Sequence, residues 1–336
     1  MQFVLCLLVF VFSIIVTGQV CQLAWSLGVV DEPGGRRSHS LPTPRGGGLA
    51  IVLSFWIWVI SSIYLFQLPS FFWLTLSPSI LVAMVGFWDD VSSVSAKKRL
   101  FFQFFCAILS LKLMGGIQVV LTIKGFVVPP MLVNFIALFF LVWSINLYNF
   151  MDGINGLAGF EAVSVSIFMA LITFQDHAQT WSLMWCVLAC AAGGFLLWNF
   201  PKAKIFMGDG GSYFLGFMFG LLLILSANVT PRWFWCGLIL LGYFVVDATL
   251  TLCVRAWYRQ PLMNPHQSHA FQIMLRNFRK SHAAVTSVIL LINCIWLFPL
   301  ALLVSKGYTE GFMTMLIAYL PLVIIVWKMK AGRPMN

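Results

Sequence analysis

Apolar runs of about twenty residues alternate along this chain with short polar stretches. Runs of that length cross a bilayer as helices. Eleven fit the pattern, near 3–23, 47–66, 70–88, 100–116, 131–149, 157–174, 181–200, 210–227, 232–254, 283–305 and 311–329. The pattern predicts an all-α polytopic membrane protein of about 11 transmembrane helices, forming a single domain over residues 1–336. The first run has no Lys or Arg before it and no small-residue cleavage site, so it reads as a retained helix rather than a signal peptide. Between two spans, the β-branched stretch 119–128 with Lys124–Gly125 at its middle predicts a short hairpin, ended by Pro129 and Pro130. There is no internal repeat.

Composition agrees with the pattern. Residues are 61% hydrophobic and 9% charged, against about 25% charged in soluble domains. That excludes a soluble globule, a disordered chain, collagen and a coiled coil. The net charge of +10 would suggest nucleic acid in a soluble protein. Here the cations sit in short loops between spans, so no nucleic-acid partner is expected. Lys124, Arg232 and Lys306 lie in loops on one side and Lys112 within a span; the rest of the 20 Lys and Arg lie on the other side. Positive loops stay cytoplasmic. The N-terminus is therefore expected outside and the C-terminus inside, with the hairpin periplasmic. The eight cysteines lie in or beside apolar runs, none in a C-x-x-C pair, and read as small buried hydrophobes.

The acids are few and one-sided. Of the seven aspartates only Asp176 falls in an outer loop; Asp31, Asp89, Asp90, Asp152 and Asp209 gather at the basic side, and Asp247 lies inside the ninth span. Capping and loop salt bridges would account for any one of them, but less well for the set. The chemistry is expected in five cytoplasmic loops, 24–46, 89–99, 150–156, 201–209 and 255–282. In the first, Arg36, Arg37, His39 and Arg45 precede Gly46–Gly48. Guanidinium groups beside a glycine-rich helix start suit phosphate. In the second, the pair Asp89–Asp90 can hold a divalent cation, or one can act as base while the other orients it. Lys97, Lys98 and Arg99 follow, again suited to phosphate.

In the third stretch Asn146, Asn149, Asp152 and Asn155 recur every three residues, which keeps them near one side of a helix end. Four polar groups at the end of a membrane helix are costly without a ligand. They can coordinate Mg²⁺ or hydrogen-bond a base or sugar; the rival reading is hydrogen bonding between helices. In the fourth, the turn Gly208-Asp209-Gly210-Gly211-Ser212 offers a carboxylate and free N–H groups, a corner for metal and phosphate, without the spacing of a Walker A loop. The last loop carries His266 and His269 without a third zinc-like ligand, which favours phosphate or sugar contacts over a metal pair.

VDEPGGRRSHSLPTPRGGG, GFWDDVSS, NLYNFMDGINGLAG and FPKAKIFMGDGGS, in that order, resemble the polyprenyl-phosphate N-acetylhexosamine-1-phosphate transferases over about residues 25–275. The resemblance implies transfer of a sugar 1-phosphate from a UDP-N-acetyl sugar to undecaprenyl phosphate, with release of UMP. It implies Mg²⁺, or Mn²⁺ in its place, in the bacterial inner membrane with the active site facing the cytoplasm, and leaves room for a homodimer. By motif, Asp209 would be a metal ligand with Asn149 as partner, and Asp89 or Asp90 would bind or deprotonate the acceptor phosphate. Asp152 and Asn155 would line the nucleotide-sugar site, with Asn146 and Lys97 as further substrate contacts. Arg45, His266 and His269 would touch phosphate or sugar.

Two departures refine this. Ser93 stands where the family often has a further polar or acidic residue, and the triple-His run of the peptidoglycan-type members is absent. The pattern is nearest the O-antigen branch, which handles N-acetylfucosamine, N-acetylquinovosamine or N-acetylglucosamine. Peptidoglycan- or teichoic-acid-type transfer is the alternative within the family. Outside it, a transporter would place charges near the midplane, where this chain has few, and a scaffold has no reason to collect Asn149, Asp152, Asn155 and Asp209 on one face.

Overall fold

The computed structural model describes residues 2–34, 41–66, 69–118, 122–123, 126–262, 266–279 and 281–334. Helices dominate: α1 Gln2–Ser26, α2 Gly48–Phe66, α3 Ser70–Leu76, α4 Pro78–Val91, α5 Ala96–Leu113, α6 Pro130–Met151, α7 Leu157–Gln175, α8 Gln179–Asn199, α9 Gly208–Ala227, α10 Pro231–Leu240, α11 Gly242–Trp257, α12 Ala270–Asn277, α13 His282–Ile292, α14 Phe298–Ser305 and α15 Gly311–Lys328. A π-helical turn, Asn293–Leu297, joins α13 to α14.

Among the described residues nine helical segments are long and apolar enough to cross a membrane; α10 and α11, bent by 68° at their junction, make a tenth if they form one span. The eleventh run of the sequence reading is α5, whose Lys97, Lys98, Arg99 and Lys112 lower its apolarity below that of the others. The hairpin is present as Thr122–Ile123 (β3) paired antiparallel with Phe126–Val127 (β4); its Lys124–Gly125 turn lies outside the described residues. A second small ladder was not foreseen: Val30–Asp31 (β1) pairs antiparallel with Thr43–Pro44 (β2) and straps the first loop. Arg36, Arg37 and His39 lie outside the described residues.

Helix α9 is the axis of the bundle, with nearly every side chain buried. It packs against α4, α6, α2 and α10. Its glycines explain the closeness. A Cβ on Gly211 would meet Gly48 of α2, and one on Gly216 would meet the Ser144 carbonyl of α6. Small residues let membrane helices approach where lipid gives no hydrophobic drive. Some polar groups inside the bundle tie its helices together: Ser13 Oγ donates to Ala191 O at 2.6 Å, and Trp56 Nε1 donates to Ser79 Oγ at 3.1 Å. The last long loop also holds an element that the sequence reading missed. It contains α12, with Phe271, Met274 and Leu275 buried and Arg276 exposed.

Candidate active site

The motif-bearing loops meet at one end of the bundle, around the start of α9. Gly208 has φ +77°, a left-handed conformation, and its Cα lies so near the Asp90 carboxyl that any Cβ would collide with it. Both facts require glycine there. Asp90 then closes the start of the helix: Asp209 N–H and Gly210 N–H donate to its two oxygens at 2.9 and 3.2 Å. A carboxylate at this position satisfies orphan donors and meets the positive end of the helix dipole.

Its neighbour Asp89 does different work. Arg99 Nη1 donates to Asp89 Oδ2 at 2.6 Å, and Val94 N–H donates to Oδ1 at 2.7 Å. Arg99 also reaches the Tyr213 hydroxyl at 3.2 Å. Tyr213, one turn on from Asp209 in α9, also donates from its hydroxyl to Asp89 Oδ2 at 3.5 Å. On the far side of Asp209, Asn149 Nδ2 donates to its Oδ1 at 2.7 Å and to Ser212 Oγ at 3.0 Å.

Asp152 caps the end of α6, and its carboxyl accepts no hydrogen bond among the described residues. Burial, and then the charge of Asp90, push it up to about 7, partly offset by Arg45. Arg45 is itself ion-paired to Asp31 at 2.7 Å across the β1–β2 strap. The strap is tied to the α9 turn by main-chain bonds: Phe206 N–H donates to Pro44 O at 2.8 Å, and Gly47 N–H to Phe206 O at 2.9 Å.

From Asn149 a groove of about 500 Å³ runs along α5, α6 and α11. Its head carries Arg99, Asn146, Asn149, His266, His269 and Gln272, and its body Phe104, Phe139, Val142, Trp143 and Leu252. The two histidine rings stack with centroids 4.8 Å apart. His266 Nδ1 is 3.0 Å from Ser268 Oγ. Burial, aided by His269 and Arg255, lowers His266 to about 3, so it is neutral near pH 7 and offers a hydrogen bond rather than a charge. His269 Nδ1 lies 3.3 Å from Asp247 Oδ1. Asp247 is wholly buried and also receives the N–H groups of Ala270 (2.8 Å) and Phe271 (2.9 Å), and the hydroxyls of Thr251 (3.1 Å) and Tyr243 (3.4 Å).

The structure thus gathers Asp89, Asp90, Asp209 and Asn149 in one cluster. Asp152 and Arg45 stand beside it, and Asn146, His266 and His269 line the groove. It sets two of the sequence candidates apart. Asn155 is engaged with other segments: its N–H donates to His282 Nδ1 at 3.1 Å and its Nδ2 to Pro201 O at 3.3 Å. Lys97 is exposed, without a polar partner among the described residues; Arg99 faces inward in its stead. The helical stripe Arg99, Gln103, Cys106, Ser110 carries the signal for that choice. Gln103 is itself buried and accepts from Asn146 Nδ2 at 2.7 Å.

The donors at Asp209 and Asn149 are hard oxygens, the ligand type of Mg²⁺ and Mn²⁺. Among the described residues no three His, Cys, Asp or Glu groups are arranged to hold a metal ion. Mg²⁺ needs no such triad, since it is commonly held by one or two carboxylates together with water and substrate phosphates. Four acids, Asp89, Asp90, Asp152 and Asp209, stand here with two arginines, Arg45 and Arg99.

Comparison with known proteins decides the family. A model of glycosyl transferase family 4 matches residues 72–227, a stretch that includes both Asp89 and Asp209. A Bacillus subtilis protein named a probable undecaprenyl-phosphate N-acetylglucosaminyl 1-phosphate transferase is 30% identical over 307 residues, 88% of this chain and 82% of that protein. This chain belongs to the polyprenyl-phosphate N-acetylhexosamine-1-phosphate transferases. Within that family, a Mycobacterium tuberculosis decaprenyl-phosphate N-acetylglucosaminephosphotransferase is 35% identical over 226 residues, 60% of this chain and 54% of that protein. A Wolbachia phospho-N-acetylmuramoyl-pentapeptide-transferase is 28% identical over 239 residues, 64% of this chain and 68% of that protein. The family places the chain among multi-pass membrane enzymes of cell-envelope synthesis.

Proposed function

We propose that the protein transfers an N-acetylhexosamine 1-phosphate from a UDP-sugar to undecaprenyl phosphate at the cytoplasmic face of the bacterial inner membrane. This would initiate O-antigen or a related envelope polysaccharide. One observation carries the reading: Arg99 and Asn149, bonded to Asp89 and Asp209 of the acidic cluster, line the head of a groove whose body is aromatic and aliphatic. A ligand with a phosphate head and a long apolar tail fits that division. The names of the relatives favour N-acetylglucosamine as the sugar.

In the reaction an oxygen of the acceptor phosphate attacks the phosphorus that bears the sugar. A new P–O bond forms, the bridging P–O bond to the UMP phosphate breaks, and UMP leaves. The acceptor phosphate is already ionised near pH 7, so Asp89 serves to position rather than to deprotonate it, with Arg99 held alongside. Asp209 and Asn149 would hold Mg²⁺, which supplies charge neutralisation between two anionic reactants when bound. Asp90 fixes Asp209 through the helix cap. Asp152 and Arg45 face the sugar nucleotide; His266 gives a neutral hydrogen-bonding group and His269 a ring oriented by Asp247 to phosphate or sugar.

The test is UMP release by the purified protein with undecaprenyl phosphate, Mg²⁺ and a panel of UDP-N-acetyl sugars, with EDTA as control. Lipid-dependent, EDTA-sensitive UMP from one sugar establishes the reaction and its donor. Release only from the muramoyl-pentapeptide donor would transfer the protein to the peptidoglycan-type branch, a reading kept open by the Wolbachia relative. No UMP from any donor by folded protein would refute the proposal.

A further inference from the structure

Away from the acidic cluster, the end of α15 folds back onto the loop that carries the histidines. Lys330 has φ +60° and Gly332 φ +75°, so the chain leaves the helix through a left-handed turn that buries Ala331 and Gly332. The turn is fixed by hydrogen bonds. Gly332 N–H donates to Ser268 O at 2.9 Å, and Gln260 Nε2 donates to Gly332 O at 2.8 Å. A Cβ on Gly332 would meet the Thr251 carbonyl of α11. Lys330 is the left-handed residue that ends α15, and the bonds at Gly332 fix the chain that follows.

Between the turn and α12 lies a notch of about 390 Å³. Arg276, Lys330 and Arg333 line it beside Ile273 and Met329, and none of its lining residues is acidic. Arg276 donates one bond, to Gln267 O at 3.1 Å. Lys330 has no polar partner among the described residues. The Arg333 guanidinium lies 5.0 Å from the ring of Trp327, an exposed indole on the last turn of α15. The retention of positive charge at inner loops explains cations on this side. It does not explain three of them around one cavity, two of them on a turn built to hold them there.

We propose that the notch binds the phosphate of an anionic phospholipid, and that the bound lipid steadies the turn and through it the His266 loop. Three features favour a lipid. The notch adjoins the end of a membrane-spanning helix; its wall is part cationic and part apolar; and an indole of the kind that sits at headgroup level flanks it. The mechanical link is short: Gly332 bonds the main chain of Ser268, whose hydroxyl contacts His266. The link to turnover rests on the proposed function; lipid binding itself does not.

The experiment places the full-length protein in nanodiscs of phosphatidylcholine with and without phosphatidylglycerol. Retained lipid is read by native mass spectrometry and UMP release is measured in parallel. The wild type is expected to retain phosphatidylglycerol over phosphatidylcholine. Each of Arg276→Gln, Lys330→Gln and Arg333→Gln should weaken that preference about fivefold, the worth of one basic side chain near anionic headgroups. The triple variant should lose it, together with any stimulation of turnover. If the triple variant fails to fold, the single variants carry the test. Equal retention by wild type and variants would overturn the site. Binding of millimolar inorganic phosphate with no preference for phosphatidylglycerol would make the notch a free-anion site and overturn the lipid assignment. Retention without any effect on turnover would overturn the link to His266. A protein that retains the lipid but releases no UMP would instead refute the proposed function.

Discussion

Asp247 offers the sharpest test of how the groove is organised. It is buried in α11 and receives five donors. His269 Nδ1, Ala270 N–H and Thr251 share Oδ1; Phe271 N–H and Tyr243 share Oδ2. Such a ring of donors suits a carboxylate, which only accepts. Asp247→Asn keeps the shape but replaces one oxygen by an NH₂ group. With the amide oxygen on the crowded side, the NH₂ faces the Phe271 N–H and the Tyr243 hydroxyl. Tyrosine can rotate its proton away; the backbone N–H cannot, and a buried donor without an acceptor costs about 1–3 kcal/mol. The start of α12 loosens and His269 loses its fixed ring orientation. A misplacement of about 1 Å at a reacting site costs on the order of 10²-fold in rate. The expected result is therefore a modest loss of thermal stability in detergent and a fall in kcat of that order, with KM changed less. Because Asp247 acts through His269, the double variant Asp247→Asn/His269→Ala should be no slower than His269→Ala alone. Losses that multiply in full, or wild-type kcat in Asp247→Asn, would refute the reasoning.

Other perturbations probe the acidic cluster. Asp209→Asn should cost turnover severely, with only partial recovery as Mg²⁺ is raised; full activity would remove Asp209 from the site. Asp152 lies near 7, so below that pH it is protonated, and a reaction that needs its carboxylate slows as pH falls through about 7. Asp152→Asn should flatten that acidic limb of the kcat profile, and an unchanged limb would assign it to another group. Asp176, at the opposite end of the bundle, accepts from Trp233 Nε1 at 2.7 Å. Asp176→Ala should leave turnover unchanged and lower stability by about 1 kcal/mol, the usual worth of one hydrogen bond, read from a thermal melt.

Much of this was legible in the residues. Apolar run length located every long helix because a bilayer-spanning segment has little choice but to be apolar. The glycines at 208, 210 and 211 marked the turn that carries Asp209, since no other residue allows that turn and that closeness. What periodicity could not show was the division of labour between neighbours. Asp89 and Asp90 are identical in type and adjacent in sequence, yet one grips Arg99 while the other caps a helix more than a hundred residues away. Spacing alone also favoured Asn155, which the turn at 152–156 directs toward Pro201. Lys97 and Arg99 are equally basic, and only the inward stripe of α5 separates them. The β1–β2 strap and the role of Asp247 depend on contacts between distant segments, which no local pattern records.

The groove beside α6 is polar at its head and apolar along its body, and its wall includes Phe139, which is 49% exposed on the outer surface of the helices. A tail lying there need never leave the bilayer, either before reaction or after it. For such a substrate, volume concentration is the wrong variable. The encounter is a search in two dimensions, and the rate follows the mole fraction of acceptor among the surrounding lipids. Diluting vesicles in buffer that keeps the sugar-nucleotide concentration fixed would leave turnover per enzyme unchanged. Diluting the acceptor with inert lipid at constant total acceptor would slow it.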